Sequence, residues 1–493
     1  MKQILVLLSF FAFVSLGFSQ NLTAKLVAKS NGKPIPYANI KTGKYSGVIS
    51  NDEGYFTIHS QNDNSKTIEI TCMGFESKTL SISEIKKLNF IIALKDAMNQ
   101  LNEVLITNKR PNADAIIEKV RSKISENYDN ELNAYSIFHR NTDRVDFRNL
   151  GFEIEKASHV KKKNINDANA SLEKMASEII ASDMVHFKDF KGEFFNLNTD
   201  SSKIKVSKAT KLLDSKNNFS IDDVQKKTQN IVLKYLDTTI TYKLKSGLFK
   251  IEDTLSLTDE QFKDFEKQVY NMPYLNNESR NLLRKAQFFE ESFLSNVINP
   301  KLYDYTYDGA ALKDGKLFYL IDFEPRRGKS KYGGKLYISE ADYAITRMDY
   351  GYYKNRHGQK VNLKLVLGVK FIANVDEGTL LFEKNQNGKY HPKYLKQTTG
   401  AYFYVNRDLK FIENSRARNK TNINFKIEGQ NLNKEELLFT ANEKLTLEGF
   451  KLIKQDDTVP YTLLSSFEET IWGNEDILEP TLEMKTFDAS EDQ

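Results

Sequence analysis

The chain has 493 residues, with 71 basic and 66 acidic side chains and a net charge of only +5. That near-balance leaves no basic footprint of the kind nucleic-acid binding requires. A single cysteine, Cys72, excludes an intramolecular disulfide, so stability must come from buried cores, and the length supports two or three domains.

The chain opens as a targeting signal. Lys2 gives the positive start, Ile4 to Val14 the apolar run, and Gly17-Phe18-Ser19 the small-residue cleavage site before Gln20. Residues 1–19 are therefore expected to be removed and the rest exported to the periplasm or the outer-membrane periphery. No cysteine follows the cleavage site, which excludes a lipid anchor there. The apolar run is shorter than the roughly 20 residues of a membrane-spanning helix and no later segment approaches it, so no transmembrane segment is expected after cleavage.

Residues 20–95 read as a small β-sandwich. Leu22 to Ala28, Gly47 to Ser50, Tyr55 to Ile58 and Thr67 to Thr71 are β-rich runs punctuated by Gly, Pro, Asn and Asp, and about seven short strands fit. Asn51-Asp52-Glu53-Gly54 is read as a hairpin turn, since Asn and Asp favour turn geometry and Gly accepts positive φ. Gly74-Phe75 reads as a bend with an aromatic core plug, and Cys72 as a buried, inert thiol. Asn31-Gly32-Lys33-Pro34-Ile35-Pro36-Tyr37, Gly47 to Ile58, Met73-Gly74-Phe75-Glu76 and the exit motif Leu101-Asn102-Glu103-Val104 together resemble the carboxypeptidase regulatory-like domain of Gram-negative envelope proteins. The resemblance implies a transthyretin-like sandwich. That domain often precedes TonB-dependent receptor barrels, but no series of membrane strands follows here.

Residues 96–112 form a polar linker, and 113–493 an α+β domain in which a long curved antiparallel sheet packs on helices. Ala113, Ile116, Val120 and Ile124 recur at helical spacing behind Asn112 as cap, giving a helix to about Tyr128. Asn164 to Ala181 is a further helix candidate, and Thr238 to Ile251 reads as strand. Helices dominate 258–298: one behind the capping box Thr258-Asp259-Glu260-Gln261, another from about Glu278 with Leu282, Ala286, Phe289 and Phe293 in line. The sheet is placed mainly over 301–432, with Val361 to Phe371 as its clearest strand, apolar at every odd position, and Asn387-Gly388 as a tight turn.

Ala115-Ile116-Ile117, Lys245 to Asp253, Gly334 to Ser339 and Phe467 to Trp472 resemble segments of exported proteins that carry the same regulatory-like domain, and imply no activity. Gly334, Leu336, Tyr337 and Ile338 are also similar to a pattern in the open half-barrel of periplasmic lipoprotein carriers.

The motif search argues against catalysis. None of the six histidines begins a His-x-x-Glu or His-Glu-x-x-His set, so zinc carboxypeptidase chemistry is not expected, and no metal or other cofactor is. Gly328-Lys329-Ser330 lacks the first glycine of a phosphate loop and reads as a basic hairpin tip. Asp304 to Gly309 lacks the closing glutamate of a calcium loop and reads as a turn. Glu290-Glu291 reads as a solvated helix edge. Two basic clusters remain as candidate contacts for lipid headgroups or an acidic partner: Arg326, Arg327, Lys329 and Lys331, and Arg416, Arg418 and Lys420. The 24 Tyr and 32 Phe can line an apolar or sugar-binding surface as well as fill a core. The function expected is that of an exported, non-enzymatic envelope protein binding a partner protein, a lipid or another apolar or glycan ligand. The alternatives are a hydrolase whose site is assembled from distant residues and a structural adaptor docking onto an outer-membrane assembly.

Overall fold

A computed structural model describes residues 20–43, 47–60, 66–97, 111–128, 132–182, 184–213, 236–237, 239–247, 249–256, 269–473, 475 and 477–488. The expected signal at 1–19, the Leu101 to Val104 motif and the Thr258 capping box lie outside these residues. The chain divides into two units, one comprising residues 1–108, 310–317 and 468–485, the other the remainder.

The first unit is a sandwich of seven strands, β1 Gln20–Ala28, β2 Asn39–Lys41, β3 Gly47–Ile49, β4 Tyr55–Ser60, β5 Thr67–Thr71, β6 Lys78–Ser81 and β7 Ile91–Leu94. One sheet has the order β4-β1-β7 and the other β3-β2-β5-β6. Alternation decides the burial: Leu22, Ala24, Leu26 and Ala28 of β1 point inward and meet Ile40, Phe56, Ile68, Ile70 and Cys72. Helix α1, Ile82–Lys87, starts at a capping box in which the Ser81 hydroxyl and the Glu84 carboxylate satisfy each other's backbone N–H.

The turn at Asn51 differs from its expected role. β3 and β4 lie in different sheets, so Asn51 to Gly54 is a corner between layers rather than a hairpin. Asn51 Oδ1 accepts from the N–H groups of Glu53 and Tyr55, its Nδ2 donates to the carbonyls of Glu479 and Pro480, and Gly54 takes φ +79. Turn chemistry was legible here; the partner of each strand was not.

The second unit is built on a sheet of 14 strands among the described residues. After helices α2 Ala113–Ser122 and α3 Ile124–Asn127 come β8 Asn133–Ala157, helix α4 Lys162–Ala181, β9 Met184–Asn196, β10 Ser202–Leu212, β11 Thr241–Ser246, β12 Phe249–Ser256 and β13 Val269–Asn271. Helices α5 Met272–Lys285 and α6 Phe293–Val297 precede β14 Tyr303–Lys313, β15 Lys316–Pro325, β16 Tyr332–Ser339, β17 Ile345–Tyr352 and β18 Lys360–Leu363. Helical turn α7 Lys364–Leu367, β19 Val369–Lys384, β20 Tyr390–Glu413, β21 Lys420–Lys444, β22 Thr458–Pro460 and β23 Thr462–Leu464 complete it. The main order is β14-β15-β16-β17-β19-β20-β21-β8-β9-β10-β23.

Several boundaries depart from expectation. The sheet is not confined to 301–432: it begins at Asn133 and reaches Leu464, because β8, β9 and β10 pair ahead of α5 and α6 in sequence and β23 pairs with β10. Thr238 to Ile251 spans a hairpin, broken at Gly247 with φ +57. The helix expected from Glu278 starts at Met272, behind the Asn271 cap and with Pro273 in its first turn, and stops at Lys285; Phe293 belongs to a separate turn capped by Ser292. Glu290 and Glu291 sit in the exposed turn between these helices, not on a helix edge. Asp304 to Gly309 is part of β14, not a turn. The Asn112 cap and the Asn385 to Lys389 turn form as read, with Gly388 at φ +76.

Val361 to Phe371 is the clearest misreading. Its odd-position periodicity suits one long strand, yet the segment is a hairpin, β18–α7–β19, closed by a helical turn. Gly368 breaks the strand with φ +64, and its carbonyl accepts from Asn406 N–H. A Cβ there would fall 2.0 Å from the Asn406 carbonyl oxygen, so the chain must turn.

Candidate binding surface

The face of the large sheet that carries the site follows from register. β20 and β21 pair without a shift from Tyr394↔Leu438 to Ile412↔Lys420, so odd positions of both share one side. At one end of that side, Leu395, Leu437 and Phe439 join Tyr135, Ile137 and Phe190 in a core covered by Ile116, Ile117, Leu275, Leu282 and Val297 of the helices. At the other end Phe403, Phe411, Ile423 and Phe425 join Phe152 and Ile154 in a second core, closed by Leu172, Met175 and Ile179 of α4.

Between the two cores the same side turns polar. Glu435, Asn433 and Asn431 of β21 and Gln397 and Thr399 of β20 form a belt across it. Asp143 on β8 pairs with Lys188 on β9 at 2.9 Å and accepts from Asn433. Asp376 on β19 is tied by Lys285 at 3.1 Å, Tyr332 at 2.6 Å and Gln397 at 2.8 Å. Burial pushes the Glu435 carboxyl up to about 7, with Glu278 and Asp143 adding repulsion. Burial likewise raises Glu278 and lowers Lys285, the latter opposed by Asp376. On the opposite side Arg140 and Asp189 form a bidentate buried pair, Nε to Oδ1 2.9 Å and Nη2 to Oδ2 2.7 Å. Among the described residues no three His, Cys, Asp or Glu side chains gather as a metal would need.

Beside the second core lies a groove of about 520 Å³ lined by Ser246, Ile251, Leu367, Val405, Arg407, Leu409, Phe425 and Ile427. Its floor is the odd side of β20 and β21; its walls are the β11–β12 hairpin and α7. Arg407 is the charged group in it. Its Nε donates to Ser246 Oγ at 2.7 Å and its Nη2 to the Ser246 carbonyl at 3.4 Å, and no carboxylate pairs with it among the described residues, leaving the remaining guanidinium donors for a ligand.

The two basic clusters predicted from sequence are not brought together. Arg326, Arg327 and Lys329 are exposed and Lys331 half-buried in the loop between β15 and β16, where Arg326 pairs with Asp304 at 2.6 Å and Arg356 bonds the carbonyls of Arg327 and Ser330. Arg416, Arg418 and Lys420 are exposed at the β20–β21 tip. Register places Gly334 level with Tyr350, Gly378 and Gln397, so the second cluster lies some 50 Å further along the strands at about 3.3 Å per residue. They are separate patches. The groove residues were visible in sequence only as alternating apolar positions, indistinguishable from core-facing ones.

Residues 23–106 match the family model of the CarboxypepD_reg-like domain, which identifies the first unit's sandwich as that domain. No curated protein matches the chain. Among solved structures, a LolA superfamily protein from Nitrosomonas europaea is 9% identical, covering 69% of this chain and 98% of its own, with a TM-score of 0.18. That likeness is too distant to bear on function.

Proposed function

We propose that this is an exported, non-enzymatic envelope protein whose second unit binds a single-chain amphiphile with an acidic head group. The observation that carries the reading is the groove: six apolar side chains around one arginine that has no carboxylate partner among the described residues, within the few hundred cubic ångströms typical of small-molecule sites. The apolar wall takes the tail and Arg407 the head. A fluorescent acyl acid such as dansyl-undecanoate is expected to bind saturably to the purified protein. Ile427→Trp, which fills the groove, is expected to abolish binding, and Arg407→Ala to weaken the acid while leaving the corresponding alcohol unaffected. No saturable binding by the wild type, or full binding by Ile427→Trp, overturns the reading. Export is tested separately: the mature chain is expected to begin at Gln20 in the periplasmic or outer-membrane fraction.

The polar belt favours a second reading, a hydrolase using Glu435 and Glu278. A general acid with its carboxyl near 7 suits that chemistry. Turnover of ester, amide or glycoside libraries that is lost in Glu435→Gln but kept in Ile427→Trp would select it.

A further inference from the structure

Helical turn α7 is the most exposed apolar feature among the described residues. Leu365 is 101% and Val366 80% exposed, with Leu363 beside them at 43%. Soluble surfaces rarely present two neighbouring large apolar side chains so completely. The turn is held out firmly: β18 and β19 pair beneath it from Lys360↔Ile372 to Leu363↔Val369, and the Gly368 carbonyl accepts from Asn406 N–H at 2.8 Å. It is a fixed projection rather than a loose loop.

The segment that carries it has charge of one sign, and of the neighbouring strands' carboxylates Glu428 is tied to the Tyr402 hydroxyl at 2.7 Å. Between Tyr353 and Val375 the chain carries Lys354, Arg356, Lys360, Lys364 and Lys370 and no Asp or Glu. Lys360 and Lys364 are exposed, and Lys364 holds its Nζ over Tyr404, 4.0 Å from the ring centroid. Lys370 lies over Tyr402 at 5.1 Å. On the adjacent strand Lys410 adds a further cation, while Asp408 accepts from Asn424 at 2.6 Å. An apolar tip collared by lysines is complementary to an anionic bilayer surface: tails receive the leucine and valine, and phosphates the ammonium groups. No described helix is long and apolar enough to cross a membrane.

We propose that Leu363, Leu365 and Val366 form a wedge that inserts into the headgroup layer of anionic membranes, with Lys360, Lys364 and Lys370 as its electrostatic collar. The inference stands on exposure and charge, and does not rest on the groove having a ligand.

The test is co-sedimentation of the full exported chain with vesicles of phosphatidylcholine alone or mixed with phosphatidylglycerol. Binding is expected only to the mixed vesicles and to weaken with salt. Leu365→Asp with Val366→Asp should reduce it about tenfold or more, since two apolar side chains no longer leave water. Lys360→Glu with Lys364→Glu should weaken it and remove most of the salt dependence. These side chains are solvent-exposed, so an unchanged melting temperature confirms that each variant is folded. Equal binding of wild type and the Leu365/Val366 variant overturns the proposal. So does a wild type that ignores both vesicles, including one that instead self-associates through this turn, as sedimentation velocity would show.

Discussion

At the scale of single residues, two buried ionisable groups pull stability in opposite directions with pH. His139 stacks on Phe190 with ring centroids 4.8 Å apart, and neither ring nitrogen has a hydrogen-bond partner among the described residues. Burial holds its imidazolium down to about 3, from an ordinary 6.5. The folded state therefore keeps it neutral while the unfolded chain takes up a proton below about 6.5, so stability is lost as pH falls from there toward 3. His139→Phe keeps the stacked ring and removes the proton site. Denaturant midpoints are expected to be unchanged or higher at pH 7 and clearly higher at pH 5. Glu435 has the opposite sign. Its folded carboxyl is raised from 4.5 to about 7, so the destabilisation appears as pH rises through that window and is complete above it. Glu435→Gln should raise the midpoint at pH 8 and change it little at pH 4. Neither group was legible in sequence, since a histidine or glutamate at an alternating strand position shows its burial only once α5 is placed over the sheet.

At the scale of elements, sequence pattern located most strands and several caps but not how far each strand runs or what it pairs with. Asn51 shows why. Its turn propensity is local, whereas the two carbonyls its side chain reaches, on Glu479 and Pro480, are supplied from more than 400 residues away. Asn51→Ala leaves four backbone groups without their side-chain partner in a buried corner and should cost about 1–3 kcal/mol or somewhat more. Val361 to Phe371 shows the converse. Its period of two is real, but leucines at odd positions do not reveal that Gly368 must approach Asn406 and turn the chain. Gly368→Val forces a β-branched residue to φ +64 against a carbonyl, and should destabilise the second unit by about 1–3 kcal/mol or more. That the tip then left exposed is apolar was written in the sequence as Leu365-Val366, but a strand reading buried one of them.

At the scale of the molecule, the division of cores sets what can be measured. The first unit buries its own cluster around Leu26, Ile40, Phe56 and Ile70, and the second has two, on one side of one sheet. The sandwich was readable because its strands, turns and family pattern lie within one stretch of sequence. The large sheet was not, because its central pairing joins β21 to β8, residues some 300 positions apart. Separate cores predict separate cooperativity, so calorimetry of the full chain is expected to show two transitions. Asn51→Ala should lower one of them, by several degrees for a domain of about 100 residues, and leave the other in place. Gly368→Val should do the reverse. A single transition displaced by both substitutions would show instead that the two units unfold as one cooperative body, and stability in either could then not be assigned to its own core.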